Sequence, residues 1–331
     1  METLSAPVGI KDVFMHRESP SSGTVIGICG SGQMGASAAS LFRRAGFSVL
    51  LWSRSPEKFP AIREQLQRMS DFLTEHFGEP SCAAGDVRLS SDLSAINLSA
   101  EYVLECIAEN LDAKSQLLKQ LAPAASRGAV LMSCTSGLSI TEMGRRSGLG
   151  RQLVGAHFWN PSHLMPLVEV IAGEETAAGL TEQVAELLRE VGKIPVICRD
   201  VPGFVGNRLL HALFREAIHL VQEGICSAED VDTVTRLTFA LRLPALGPCA
   251  NMDLVGLPLV ADIQGYLLAD LAADSNTMPL LREMIARGDQ GMSVGQGFHA
   301  WTPAQAEAQI AQRDRQIVQQ LAYLRDIGRL P

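Results

Sequence analysis

The sequence is short of several things, and each shortage excludes a class of protein. None of its seven cysteines (Cys29, Cys82, Cys106, Cys134, Cys198, Cys226 and Cys249) stands in a C-x-x-C pair, and most lie within apolar segments. They read as reduced core residues and not as a disulfide framework. No stretch approaches the roughly 18 consecutive apolar residues of a membrane span. Residues Met1 to Gly23 mix Glu2, Lys11, Asp12, His16, Arg17 and Glu18 with no apolar core, which argues against secretion and for the cytoplasm. Basic residues are in deficit: 28 Lys and Arg face 36 Asp and Glu, a formal charge of -8, and no long basic run offsets it. Nucleic acid and membrane are therefore not expected as main partners. The histidines show no H-E-x-x-H or cysteine–histidine spacing, so no metal is expected. What is present is 331 residues, 47% hydrophobic and 19% charged, the make-up of a globular chain of about two domains.

The most informative stretch runs from Val25 to Gly35, V-I-G-I-C-G-S-G-Q-M-G. An apolar strand, a glycine turn with Gly30, Gly32 and Gly35 in G-x-G-x-x-G spacing, and a helix start form a dinucleotide-binding fingerprint. Gly30 allows the tight turn, and Gly32 has no side chain to hold a pyrophosphate off the backbone. Gly35 lets helix and strand pack closely, so that phosphates meet the unpaired N–H groups of the helix. Gln33 and Met34, between the last two glycines, join them as cofactor-binding candidates. The second strand, Phe47 to Trp52, ends in Ser53-Arg54-Ser55. A NAD-binding protein usually carries an acid there, about 20 residues beyond the glycines, to hold the ribose hydroxyls. Its absence removes repulsion against a 2′-phosphate, and Arg54 beside two hydroxyls favours NADP over NAD. The alternative is a solvated Arg54 with NAD bound through Ser53.

The chain divides into a flexible leader over residues 1–22, an α/β dinucleotide-binding domain over 23–200 and an all-helical domain over 201–331. Strand patterns recur at Val87–Ser90, Tyr102–Ile107, Ala129–Ser133, Leu153–Phe158, Leu167–Ile171 and Ile194–Cys198. Lys58 to Phe77 is amphipathic and too long for an ordinary crossover, which predicts a helical arm with Ile62, Leu66, Met69 and Leu73 on one face. Beyond Asp200 strand signals cease. Helices are expected over Asn207–Glu223, after the Ser227 cap, over Leu254–Leu271, and from Thr302-Pro303 to about Asp326.

The chemistry concentrates in a second stretch, Gly155-Ala-His157-Phe-Trp-Asn160-Pro161 followed by Leu167-Val-Glu169-Val-Ile. A carboxylate inside an apolar strand needs a close partner, and His157 at the end of the preceding strand is the natural one. If the two strands lie side by side, Glu169 holds one imidazole nitrogen and leaves the other for a substrate hydroxyl, as a general base requires. The competing reading is a core histidine paired with a structural acid. Ser133-Cys-Thr-Ser136-Gly137 follows a strand at the carboxyl edge of the sheet, where such folds bind ligands. Asn207 opens a helix as either an N-cap or a substrate hydrogen-bond donor.

Six ordered motifs then carry a resemblance: G-x-G-x-M-G, E-C-I-A-E-N at Glu105 to Asn110, T-S-G at Thr135 to Gly137, H-F-W-N-P at His157 to Pro161, L-V-E-V-I, and D-V-P-G-F-V-G-N-R at Asp200 to Arg208. Together they resemble the L-3-hydroxyacyl-CoA dehydrogenase family over nearly everything after Gly23. The resemblance implies a Rossmann-like N-terminal domain with a helical arm, an all-α C-terminal domain and a homodimer. It implies His157 as catalytic base and Glu169 as its orienting partner, with Ser136, Asn160 and Asn207 lining the reacting centre. Glu105, Glu109 and Lys114 match positions around the cofactor cleft.

Three departures stand out. Ser53 replaces the usual acid, Cys134 stands where Asn is common beside the nicotinamide, and Trp159 where Phe is usual. The leading substrate expectation is a 3-hydroxyacyl-CoA or related thioester, with Lys58, Arg63 and Arg68 as candidate phosphate ligands or a solvated helix face. The alternative is a free small 3-hydroxy acid, as in carnitine or gulonate dehydrogenases. A non-catalytic, crystallin-like cofactor-binding protein is the reading from another class.

Overall fold

The structure is a computed structural model that describes residues 23–80 and 82–330; the leader expected over residues 1–22 lies outside them. The chain divides after Arg208 into two compact units.

The first unit is built on one eight-stranded sheet. Its first half comprises β1 (Val25–Cys29), α1 (Gln33–Arg44), β2 (Ser48–Trp52), α2 (Phe59–Phe77), β3 (Val87–Ser90), α3 (Ser94–Ser99) and β4 (Tyr102–Glu105). Then come α4 (Leu111–Gln120), α5 (Ala122–Ser126), β5 (Val130–Ser133), α6 (Ile140–Ser147), β6 (Leu153–Phe158), β7 (Leu167–Ala172), α7 (Leu180–Glu190) and β8 (Ile194–Arg199). The strand order is β3-β2-β1-β4-β5-β6-β7-β8. All neighbours are parallel except β6 and β7, which run antiparallel. The order reverses between β1 and β4, so the crevice beyond their carboxyl ends is the place where an open sheet of this kind takes a ligand.

Alternate residues of each strand enter opposite cores. One face buries Ile26, Ile28, Leu104, Met132 and Ala156 with Phe42 of α1. The other buries Val103, Leu131, Leu153 and Ile171 with Leu118 of α4. Each large aliphatic side chain so buried stabilises the unit by about 1.5–3 kcal/mol. Helix α2, the expected arm, buries Ile62, Leu73 and Phe77 and is tied to α1 by Arg43 Nη1, which donates to Ser70 Oγ at 3.1 Å.

The second unit is helical. Helix α8 (Gly206–Gln222) enters it, and α9 (Ala228–Leu237) follows behind a reciprocal capping box of Ser227 and Asp230. The single helix expected over Leu254–Leu271 is instead two, α11 (Pro248–Val255) and α12 (Leu257–Leu267), after the short α10 (Phe239–Arg242). Gly256 separates them at φ 99°, a left-handed conformation that ends one helix and is followed by Pro258 at the start of the next. Helix α13 (Pro279–Arg287), also opened by a proline, was not expected from the pattern. The last helix, α14 (Pro303–Asp326), begins at the capping box of Thr302 and Gln305 that the sequence predicts.

Candidate active site

The glycine turn closes as its spacing requires. Gly30 has φ 116°, and a Cβ there would meet Cys106 O at 2.6 Å; a Cβ on Gly35 would fall 1.7 Å from Gly30 O. The close approach that Gly35 permits is therefore to the turn itself and not to the strand. A Cβ on Gly32 would meet nothing within 4 Å, so the space above it is open. Helix α1 has Gly32 as N-cap with no side-chain cap, leaving its first N–H groups to a ligand. Gln33 is exposed and Met34 half-buried beside it. The residues present thus fit a dinucleotide pyrophosphate at this turn. Ser53 is buried and Arg54 exposed at the carboxyl end of β2, one strand away, where Trp52 O accepts from Gly30 N at 3.1 Å.

His157 and Glu169 are direct register partners across the antiparallel β6–β7 pair. Glu169 Oε2 lies 2.7 Å from His157 Nδ1, and both side chains are buried. Its other oxygen, Oε1, accepts from the backbone of Val205 at 2.8 Å and of Gly206 at 3.0 Å. Burial pushes the Glu169 carboxyl up, but the hydrogen bonds from His157, Gly206 and Val205 outweigh it and hold the group below the usual carboxylate range. Nδ1 being engaged, Nε2 is the imidazole nitrogen left for a substrate. The rings of Trp159 and Phe204 lie 5.2 and 5.7 Å from the imidazole and confine it.

Phe204 is a residue that the sequence reading missed as part of the site. It is buried and has φ 49°, the one non-glycine in the left-handed region among the described residues. A bulky side chain there is strained. That conformation lets the chain turn so that two consecutive N–H groups, of Val205 and Gly206, converge on Glu169.

The remaining candidates divide. Asn207 Nδ2 donates to Ser136 O at 2.7 Å, so the side chain bridges to the Ser136 loop and does not cap α8. Gln33 Nε2 donates to Asn160 Oδ1 at 3.1 Å, linking the glycine turn to the loop after His157. Glu109 accepts from Thr135 Oγ1 at 2.6 Å and from Ser136 N at 2.9 Å, and so shapes that loop. Lys114 is placed otherwise than a direct cofactor contact would be: it is 1% exposed, and its ammonium donates to Glu105 at 2.8 and 2.9 Å and to Ile107 O at 3.2 Å. Glu105 also accepts from Ser133 Oγ at 2.6 Å. This enclosed pair braces β4 and β5 beneath the cleft. Among the described residues no cluster of metal-ligating side chains is present, and no helix is long and apolar enough to cross a membrane.

Comparison with known proteins places this site in a family. Residues 25–201 match the 3-hydroxyacyl-CoA dehydrogenase NAD binding domain, and residues 203–301 match the C-terminal domain of the same family. A 5-formyl-3-hydroxy-2-methylpyridine 4-carboxylate 5-dehydrogenase from Mesorhizobium japonicum is 32% identical over 296 residues, 88% of this chain and 96% of that protein. An L-carnitine dehydrogenase from Nocardiopsis dassonvillei is 31% identical, covering 72% of this chain and 73% of its own. Among solved structures, a 5-formyl-3-hydroxy-2-methylpyridine 4-carboxylic acid 5-dehydrogenase described as an NAD+ dependent dismutase superposes with a TM-score of 0.86 at 32% identity, over 92% of this chain and 99% of that one. The (S)-3-hydroxybutyryl-CoA dehydrogenase of Ralstonia eutropha gives 0.68 at 28% identity, over 85% and 100%. The chain belongs to the 3-hydroxyacyl-CoA dehydrogenase family and is an oxidoreductase that acts on CH–OH groups with a dinucleotide held by a NAD-binding domain.

Proposed function

We propose that the chain is an NAD(P)-dependent dehydrogenase whose general base is His157, oriented by Glu169, and whose substrate is a small free carboxylic acid carrying the reacting hydroxyl. The observation that carries the base assignment is the buried 2.7 Å contact between His157 Nδ1 and Glu169. A carboxylate on Nδ1 fixes one tautomer and favours the imidazolium that forms when Nε2 takes the hydroxyl proton. A bound nicotinamide supplies the acceptor for the hydride that leaves the same carbon. In the reductive direction His157 returns the proton. Ser136, held by Asn207 and Glu109, and Asn160, held by Gln33, line the space in front of the imidazole.

The substrate class rests on the likeness in structure to the pyridine carboxylate enzyme, TM-score 0.86 against 0.68 for the hydroxybutyryl-CoA enzyme. That likeness moves the expectation from a thioester to a free acid. A 3-hydroxyacyl-CoA is the second reading, favoured by both family matches. Ser53 and exposed Arg54 support acceptance of NADP alongside NAD. Exposed apolar side chains on α8, α11 and α12, among them Leu209, Phe214, Leu254, Leu257 and Leu259, support a homodimer. A spectrophotometric screen crossing NADH and NADPH with aromatic keto or aldehyde acids, small 3-keto acids and acetoacetyl-CoA tests the substrate. Turnover confined to acetoacetyl-CoA would overturn the free-acid reading. Light scattering in solution at twice 35.6 kDa is the expected mass.

A further inference from the structure

Two cysteines that are 28 residues apart in the sequence meet on adjacent strands beside the glycine turn. Glu105 and Ser133 are register partners at the ends of the parallel strands β4 and β5, and Cys106 and Cys134 are the next residues on each. The backbone continues the pairing, with Cys134 N donating to Glu105 O at 2.8 Å. Both side chains fall on the same side of the sheet, packed against the core that holds Leu104 and Met132. Neighbouring strands lie about 4.7–4.9 Å apart, inside the 4.4–6.8 Å that a disulfide spans between Cα atoms. Neither cysteine is in a disulfide, and each residue is half-buried with its thiol turned inward against that core. Cys29, on the adjoining strand, belongs to the opposite core and is fully buried.

The position matters for the cleft. Cys106 O is the atom that a Cβ on Gly30 would strike, which puts Cys106 beside the glycine turn. Cys134 accepts a hydrogen bond from the backbone of Phe158, next to His157. The pair therefore lies between the glycine turn and the imidazole.

We propose that Cys106 and Cys134 are a modification site: a reversible disulfide that forms under peroxide and closes the cleft to the dinucleotide. The idea rests on the reading of this cleft as the dinucleotide site. Cys134 is the attacking group, because its sulfur accepts hydrogen bonds from the Cys106 thiol and from Phe158 N–H, and such donors stabilise a thiolate. Its thiolate attacks a peroxide oxygen, the O–O bond breaks, and the departing hydroxide is protonated to water, leaving a sulfenic acid on Cys134. The sulfur of Cys106 then attacks that sulfenic sulfur, the S–S bond forms, the S–O bond breaks, and a second water carries off the oxygen with the Cys106 proton. Two thiols are oxidised and one peroxide is reduced. A dithiol reverses the step by exchange.

Lys114, Lys119 and Arg127 lie between the two cysteines, so trypsin separates them onto different peptides unless they are linked. The full-length protein is treated with hydrogen peroxide, digested under non-reducing conditions and mapped by mass spectrometry, while NAD and NADP affinity is read by fluorescence. The expected result is a Cys106–Cys134 linked peptide, a loss of dinucleotide affinity of at least about tenfold, recovery with dithiothreitol, and slower linking when the dinucleotide is bound first. In Cys106→Ser the link is replaced by a dimedone-reactive sulfenic acid on Cys134. The proposal is overturned if both cysteines stay reduced, if only chain-to-chain links through exposed Cys249 form, or if linked protein binds dinucleotide as before. Absence of dinucleotide binding in the fully reduced protein would overturn the reading of the cleft instead, which the peptide map keeps separate.

Discussion

Glu169 faces His157 across an antiparallel strand pair and reaches it with one carboxylate oxygen at 2.7 Å, while its other oxygen is held by two backbone N–H groups. The acid is thus fixed from both sides before any substrate arrives. Glu169→Gln keeps the shape and the Oε1 contacts but removes the charge that favours the imidazolium. The expected result is a fall in kcat of roughly 10²–10⁴-fold with KM nearly unchanged. An equal rise in KM with kcat preserved would show that Glu169 only supports binding.

The same contacts set a pH dependence. The carboxyl of Glu169 is held below its usual range in the folded protein, so it contributes stability that is present above the ordinary glutamate pKa of about 4.3. That contribution is lost as pH falls through the lowered folded value. Urea unfolding of wild type and Glu169→Gln should therefore differ most near neutrality and converge as the pH drops below about 4. A gap that widens on acidification would contradict the assignment.

The glycine turn separates space for ligand from space for chain. Gly32→Ala meets no protein atom, so the melting temperature should stay within a degree or two while dinucleotide affinity falls. Gly35→Ala drives a methyl into Gly30 O and should destabilise the unit by about 1–3 kcal/mol or more. Calorimetry with and without NAD distinguishes them; equal loss of stability in both would remove the argument for an open phosphate site.

Beneath the cleft, Lys114 and Glu105 form an enclosed ion pair. Lys114→Met leaves the Glu105 charge buried without its main partner and should cost about 3–5 kcal/mol. Adding Glu105→Gln removes that charge while its amide oxygen still accepts from Ile107 N–H and its amide nitrogen donates to Ser133 Oγ, which turns from donor to acceptor, and should restore most of the loss. If the double variant is no more stable than Lys114→Met alone, the pair is not what braces β4 and β5.

At the tip of β2, Ser53→Asp restores an acid that repels a 2′-phosphate, and Arg54→Ala removes its cation. Each should shift the ratio of NADPH to NADH efficiency toward NADH by about tenfold or more, close to 1.4 kcal/mol. An unchanged ratio in both variants would show that this tip does not read the ribose.

Much of this was legible in the sequence because it is local. The glycine turn, the apolar strands on either side of it and the Thr302 capping box are short patterns with one physical reading. His157 and Glu169 could be paired because each interrupts an apolar strand and a single loop over residues 159–166 joins the strands. What stayed hidden depends on tertiary geometry. Strand periodicity does not give strand order, so nothing in the sequence set Cys106 beside Cys134. Nor did a matched cofactor-cleft motif show that Lys114 would be enclosed. The left-handed Phe204 could not be foreseen, since a bulky residue adopts it only where the surrounding structure imposes it. Gly256 breaks the single helix that the sequence predicts over Leu254–Leu271, and the apolar run on both sides masked the break.

The most direct test of the account compares wild type with His157→Asn in single-turnover reduction of the best substrate found, with dinucleotide affinity measured in parallel. The account predicts that hydride transfer falls by at least about 10²-fold in the variant while NADH binds as before. Equal rates in the two proteins, or the same negligible rate with every keto acid, aldehyde acid and thioester tried, would contradict it.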